Sequence, residues 1–159
     1  MSAHVFNPFD QWLLNAKAPE NAGPVATFCW EFLFFGLKQA RACLFVGLFF
    51  LAVLLVPRTG YFGIPRYDVL LILALAIQIW MLWVKLETPD ECKAITLFHL
   101  VGFALELFKT SEAIQSWSYP DPAYTKVFGV PLFAGFMYAA VGSYIIQIWR
   151  LLQLSVRHH

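Results

Sequence analysis

Every residue from Ala42 to Val56 is apolar, and a second apolar segment runs from about Tyr67 to Val84. A chain of 159 residues cannot hide several such stretches in one water-soluble core, because small domains leave much of their surface in solvent. The rest of the chain offers no cover: 60% of residues are hydrophobic, 18% aromatic and only 13% charged, whereas soluble domains average about 25% charged. Lipid is the expected solvent. The sequence predicts an all-α fold, a polytopic transmembrane helical bundle of about four helices.

A spanning helix needs about 20 apolar residues, and four segments meet or approach this after a polar N-terminal segment over 1–27. They lie near 28–56, 67–85, 89–110 and 131–154. In the first, Glu31, Lys38, Gln39 and Arg41 share one half of the helix, opposite Cys29, Leu33, Leu37 and Ala40. Either this stretch lies along the interface before the chain enters the bilayer, or one long helix points its charges inward. The second is favoured, since Glu31 and Lys38 sit two turns apart on one face and could each pair with another helix. Pro57, Gly60, Gly63 and Pro65 break the chain before the second helix, and Trp80, Trp83 and Lys85 suit an interfacial anchor at its end. Thr88-Pro89-Asp90-Glu91 is a helix start, with a hydroxyl N-cap, proline at the first helical position and an acid three residues after the cap. The fourth helix follows Gly129-Val130-Pro131. Its Gly135, Ala139 and Gly142 would let a backbone approach closely, whether from this chain or from a second copy in a homo-oligomer.

With four spans, Lys17, Lys38, Arg41, Lys85, Lys93, Arg150 and Arg157 fall on one side, and Arg58, Arg66, Lys109 and Lys126 on the other. The cytoplasmic side usually carries the excess, so both termini are expected inside a bacterial inner membrane. With 11 basic and 10 acidic residues and no basic run, nothing marks a nucleic-acid partner. The three cysteines, Cys29, Cys43 and Cys92, lack C-x-x-C spacing and read as small apolar residues. Ala16-Lys17-Ala18 superficially resembles a signal-peptidase site, but no cationic start or apolar run precedes it. No metal-ligand set, nucleophile elbow or phosphate loop is visible, and no cofactor is expected. His158-His159 reads as a natural end or the remnant of a tag.

Ionisable residues inside a spanning helix are functional candidates by default, because hydrocarbon does not solvate charge. Glu106 and His99 are therefore the candidate catalytic pair. Seven residues apart, they share a helix face at about 10 Å separation along the axis, too far for a direct hydrogen bond. Two readings of Glu106 stand side by side: a carboxylic acid that donates or relays a proton, or a structural partner of Lys109 or of a helix-one cation. Trp117 and Tyr119 in the Ser116–Asp121 turn, with Tyr138, Glu31 and Lys38, complete the candidate substrate-binding set. Pro120 and Pro122 would stiffen that loop, as an interfacial belt or as a wall of a pocket.

Several strings carry a family resemblance: Phe32-Leu33-Phe34-Phe35-Gly36-Leu37-Lys38-Gln39-Ala40-Arg41, Leu105-Glu106-Leu107-Phe108-Lys109-Thr110, Ser116-Trp117-Ser118-Tyr119-Pro120 and Val130-Pro131-Leu132-Phe133-Ala134-Gly135. From about Phe28 onward the chain resembles the bacterial integral-membrane family called domain of unknown function 817. The resemblance implies a multi-pass inner-membrane protein and no particular activity. It also implies that this chain corresponds to the N-terminal portion of longer members. More loosely, an acid in a helix followed by a Trp-x-Tyr turn and a glycine-containing helix is similar to membrane carotenoid hydratases and cyclases.

Three functional classes follow. One is a scaffold in which the ionisable residues merely pair; another is a membrane-embedded enzyme acting on a lipid or isoprenoid, with Glu106 as acid. The third is a small proton-coupled transporter using Glu31, Lys38, His99 and Glu106 as a polar path. The bilayer itself and a hydrophobic, lipid-like ligand are the expected partners.

Overall fold

A computed structural model describes residues 7–154; His158-His159 and Arg157 lie outside the described residues. The described residues form six helices: α1 (Pro8–Asn15), α2 (Pro24–Ala42), α3 (Leu44–Leu55), α4 (Arg66–Trp83), α5 (Pro89–Thr110) and α6 (Ala134–Leu151). A two-residue hairpin, β1 (Lys126–Val127) and β2 (Val130–Pro131), precedes α6. The fold is all-helical apart from this ribbon.

The expected single helix over 28–56 is two helices. They meet at Cys43 and are bent by 57°, which separates the polar-faced α2 from the wholly apolar α3. The bend changes where the charges of α2 point. Arg41 turns into the protein and is buried, Lys38 is half-buried, and Glu31 stays exposed. By length and composition α4 is apolar enough to cross a membrane alone, and α2 with α3 passes as a bent pair.

The segment before α2 is more than a polar lead-in. Asn7 caps α1 by accepting from the Phe9 N–H, Pro8 occupies the first turn, and the helix buries Asp10 and Leu13 completely. At the same end of the bundle, α4 closes with a left-handed residue, Lys85 (φ 57°), and Asn7 Nδ2 donates to the Val84 carbonyl at 2.7 Å. The Leu86 N–H then donates to Met81 O and the Lys85 N–H to Leu82 O, the paired pattern that satisfies a helix's last carbonyls. Two residues later the Thr88/Glu91 capping box starts α5, with Thr88 Oγ1 accepting from the Glu91 N–H and Glu91 Oε2 accepting from the Thr88 N–H. These two local signals trap Leu86 and Glu87 in a tight, buried corner.

The closest helix pairing is α5 with α6. Gly135 lies under His99, and Gly142 lies under Phe98; a Cβ on either would come within 2.7 Å and 2.6 Å, respectively, of the opposing ring. Gly102 on α5 lies likewise against the Tyr138 ring. The small-residue face of α6 is thus occupied within the chain by α5, whose backbone the missing side chains let come close.

Two turns repeat one another. Tyr61-Phe62-Gly63-Ile64-Pro65 and Val127-Phe128-Gly129-Val130-Pro131 each fold into a two-residue reversal, with φ of 53° and 78° at Phe62-Gly63 and of 49° and 82° at Phe128-Gly129. Both central residues of such a turn need positive φ, a conformation a phenylalanine adopts only with strain. Both rings stand outside the protein. Each turn leads into a helix, α4 and α6.

Phe128→Gly is expected to raise the unfolding midpoint, because a left-handed residue with a Cβ costs roughly 1–2 kcal/mol. Gly102→Ala should lower it by about 1–3 kcal/mol through overpacking against Tyr138. Equilibrium unfolding of both variants beside the wild type checks the two signs.

Candidate functional site

Glu106 emerges from the last turns of α5 and is 1% exposed. Its Oε2 accepts from Trp117 Nε1 at 3.0 Å and from the Tyr119 hydroxyl at 2.7 Å, while Oε1 accepts from the Tyr138 hydroxyl at 2.7 Å. Lys109 Nζ donates to the Tyr138 oxygen at 2.7 Å and stands 3.8 Å from Glu106 Oε1. It also lies over the Trp117 ring, 4.9 Å from its centre. Four of the residues singled out in the sequence therefore form one cluster. The three donors come from two places: Trp117 and Tyr119 from the loop, Tyr138 from α6.

The loop is fastened elsewhere too. Asp68, in the first turn of α4, accepts from the backbone N–H groups of Tyr124 and Thr125 and from the Thr125 hydroxyl at 2.6–2.9 Å. Lys126 Nζ donates to the carbonyls of Tyr119 and Asp121, and Tyr67 packs edge-on against Tyr119 and stacks on Phe133. Burial, and then the hydrogen bond to the Glu106 carboxylate, hold the Tyr119 phenol far above the ordinary tyrosine range. The cluster ties loop, α5 and α6 together with both Glu106 oxygens engaged, an arrangement that suits an anchor.

His99 is not part of it. Its ring tilts against Phe136 at 4.5 Å and its Nδ1 is enclosed, with no hydrogen-bond partner among the described residues. It lines a cleft of about 440 Å³ between α4, α5 and α6, with Gln78, Ile79, Ile95, Thr96 and Phe136 among its walls. Glu106 is absent from that lining. Glu31 and Lys38 lie apart again, on a third concavity with Lys17, Trp30 and Leu152. The four ionisable groups expected to make a polar path are thus distributed over three places.

A second polar cluster occupies the opposite end, ~22 Å from Glu106 by the helical rise between Glu91 and Glu106. Arg41 binds Asp10 through two bonds, Nε to Oδ1 at 2.8 Å and Nη2 to Oδ2 at 3.0 Å, with both side chains almost fully buried. Arg150 reaches Asp10 Oδ2 at 3.2 Å and Glu91 Oε2 at 3.0 Å. Both arginines donate to the Leu86 carbonyl at 2.8 Å. Next to it the Glu87 carboxylate, 2% exposed, accepts from Ser143 Oγ at 2.6 Å, from Gln147 Nε2 at 3.3 Å and from Gln78 Nε2. Sequence reading missed Asp10, Arg41 and Glu87 as one unit. The usable signal was a set of isolated polar residues, Gln78, Ser143 and Gln147, on otherwise apolar helices. Among the described residues no cluster of three or more histidine, cysteine or acidic side chains is placed to hold a metal ion.

Removing one member of a buried, bidentate ion pair strands the other charge, at a cost of about 3–5 kcal/mol. Asp10→Asn should therefore destabilise the fold far more than the exposed-pair variant Asp90→Asn, whose partner Lys93 is open to solvent. Chemical unfolding of the two variants checks this. Glu106→Gln should instead expose the 111–125 loop to protease while α1 and α2 stay protected. In an alkaline titration followed at the tyrosinate absorbance, Tyr119→Phe should leave the transition near pH 10 unchanged, because Tyr119 remains protonated while ordinary tyrosines ionise.

Residues 31–159 match the family model described as "Protein of unknown function (DUF817)". The chain is 48% identical over 126 residues to "Uncharacterized protein YoaT" of Bacillus subtilis (strain 168), a match that covers 79% of this chain and 47% of that protein. The chain spans about half the length of this curated relative. No solved structure matches it. The matched span takes in α3 to α6 and most of α2, including Glu106, His99 and the Glu87 corner, and on that basis the chain belongs to the DUF817 family.

Proposed function

We propose that this chain is a multi-pass integral membrane protein whose bundle holds a lipid-like molecule in the cleft between α4, α5 and α6. One observation carries the reading: the polarity of the helices is inverted. On α5 the buried positions include Gly102 and Glu106, while Leu97, Leu100, Val101, Leu105 and Phe108 point outward. On α6 Ser143 and Gln147 are buried and Val141, Ile145 and Trp149 are outside. Water would penalise that apolar surface, since a soluble monomer rarely exposes a contiguous patch beyond a few hundred Å². Hydrocarbon accepts it and forces the charges inward. The bend at Cys43 supports an α2 that lies along one interface, with the twelve-residue α3 entering the apolar layer and α4, α5 and α6 as the crossings.

The cleft between α4, α5 and α6 has the size and lining of a ligand site. Its volume falls within the roughly 300–1,000 Å³ of small-molecule sites, and its walls are mostly apolar. Leu75, Ile79 and Thr96 line it and are themselves exposed, so it opens sideways between α4 and α5 toward the surrounding lipid. The acid-catalysis reading needs Glu106 at the ligand, and the lining holds His99 instead. A proton path needs Glu31, Lys38, His99 and Glu106 joined, and they are apart. In the proposed orientation the Asp10–Arg41–Glu87 end faces the cytoplasm, following the excess of Lys and Arg on that side. The Phe62 and Phe128 turns face the other compartment of a bacterial inner membrane.

Alkaline carbonate should leave the protein in the membrane pellet, and detergent should release it. With Cys29, Cys43 and Cys92 replaced by alanine, a Cys at Phe62 or Phe128 should react with an impermeant maleimide added outside intact spheroplasts. Release by carbonate, or labelling only after lysis, would contradict the membrane reading and the orientation respectively.

A further inference from the structure

Among the described residues, cations withdrawn from water are met by protein, with one exception. Arg41, Arg66, Lys109, Lys126 and Arg150 are buried or half-buried, and each donates to a carboxylate, a carbonyl or a hydroxyl. Lys38 is half-buried as well, yet among the described residues it forms neither a hydrogen bond nor an ion pair. An ammonium drawn out of water without a counter-charge is costly, and a long flexible stem carries it toward the polar space the surface leaves. That space is the concavity of about 340 Å³ between the α1–α2 connector, α2 and the end of α6, which Lys38 lines together with Lys17, Trp30, Glu31, Phe34 and Phe35. Lys17 is exposed and likewise unpaired among the described residues.

Two lysines and one glutamate give the concavity a surplus of one positive charge, which a single phosphodiester balances. Lysine meets phosphate as a mobile point charge, so two long stems can converge on one without being held in fixed positions. The rest of the wall is aromatic and firmly set: Trp30 lies on Phe34 with ring centres 4.9 Å apart, and Trp12 of α1 packs on the same ring at 5.3 Å. Phe35, 48% exposed, carries the wall outward. Indole and lysine side by side suit headgroup depth in a bilayer. Phe28, Phe32 and Leu33 expose the opposite, apolar face of α2, which is the face an interfacial helix turns to acyl chains. A molecule at that depth with both a phosphate and an apolar body is a phospholipid, whereas free phosphate gains nothing from the aromatic wall.

We propose that this concavity seats the phosphodiester of an inner-leaflet glycerophospholipid, the phosphate between Lys17 and Lys38 and the acyl chains leaving past Phe35. The inference rests on the membrane reading and its orientation. It adds a lipid held by charge at the cytoplasmic end, apart from the α4–α5–α6 cleft, which no lysine or arginine lines. Glu31 on the same wall repels further negative charge, so a headgroup with one phosphate is preferred to one with two.

Native mass spectrometry of the full chain in dodecyl maltoside, a detergent without phosphate, should show a saturable adduct of one lipid per chain on titration with dioleoyl phosphatidylglycerol. Lys38→Gln and Lys17→Gln should each weaken it roughly fivefold, the worth of one cation beside an anionic lipid, and Glu31→Gln should tighten it. Lys93→Gln, at an exposed lysine paired with Asp90 outside the concavity, should change nothing. Dioleoylglycerol, the same chains without phosphate, should fail to displace the adduct, and glycerophosphoglycerol, the headgroup without chains, should displace it only at far higher concentration. Absence of a saturable adduct, an adduct that neither lysine substitution weakens or that Lys93→Gln weakens equally, or displacement by dioleoylglycerol overturns the inference. Displacement by glycerophosphoglycerol as readily as by the lipid overturns the lipid assignment and makes a soluble phosphodiester the occupant. Carbonate resistance is untouched by each of these results, so the headgroup site can fail while the membrane reading stands. Lys17→Gln alters an exposed side chain and decides the matter should Lys38→Gln not fold.

Discussion

The corner at Leu86-Glu87 is the interaction on which the rest depends. A single backbone carbonyl receives two arginines, one from α2 and one from α6, and the adjoining carboxylate receives donors from α4 and α6. Asp10 closes the circuit from α1 by holding both guanidinium groups. Buried charges are tolerated only when paired and hydrogen-bonded, so each of these elements must arrive in register for any of them to be accommodated. This makes the network a specificity device: it contributes less through net attraction than through the cost of every arrangement that leaves one member alone.

The two ends of the bundle solve similar problems by different means. At the Leu86 end, charge meets charge, and two arginines balance Asp10 and Glu91. At the Glu106 end, the carboxylate is met mainly by neutral donors, two phenols and an indole, with Lys109 at the edge. The aromatic rings that supply those donors also suit a membrane interface. One set of residues thereby satisfies the acid, stiffens the loop and presents an amphipathic surface. Between the ends, α5 and α6 close on their glycines, while α4 stays apart from α5 and leaves the cleft. Gly102, Gly135 and Gly142 carry the close packing, and Leu71, Leu75, Ile79 and Leu82 of α4 line the gap.

Membership in the DUF817 family covers α3 to α6 and most of α2, so the Glu87 corner, the Glu106 cluster and the cleft all belong to the shared region. Asp10 lies before it. The chain also accounts for about half of its curated relative.

Much was readable in one dimension because it is local. Apolar run length marked the helices, the Thr88-Pro89-Asp90-Glu91 string announced the start of α5, and the isolation of Glu106 in an apolar stretch required a partner. Aromatic donors in the following turn made Trp117 and Tyr119 candidates before any coordinates. What the sequence by itself determined was helical class and the need for buried charge to find company, since both follow from backbone hydrogen bonding and solvation of individual segments. Tertiary structure alone decided which charges meet. Asp10 of α1 and the Leu86 carbonyl receive Arg41 while Glu31 stays outside, and the glycine-lined contact of α5 with α6 put His99 at a cleft instead of beside Glu106. Such pairings depend on distances between helices distant in sequence, and no periodicity within one helix encodes them.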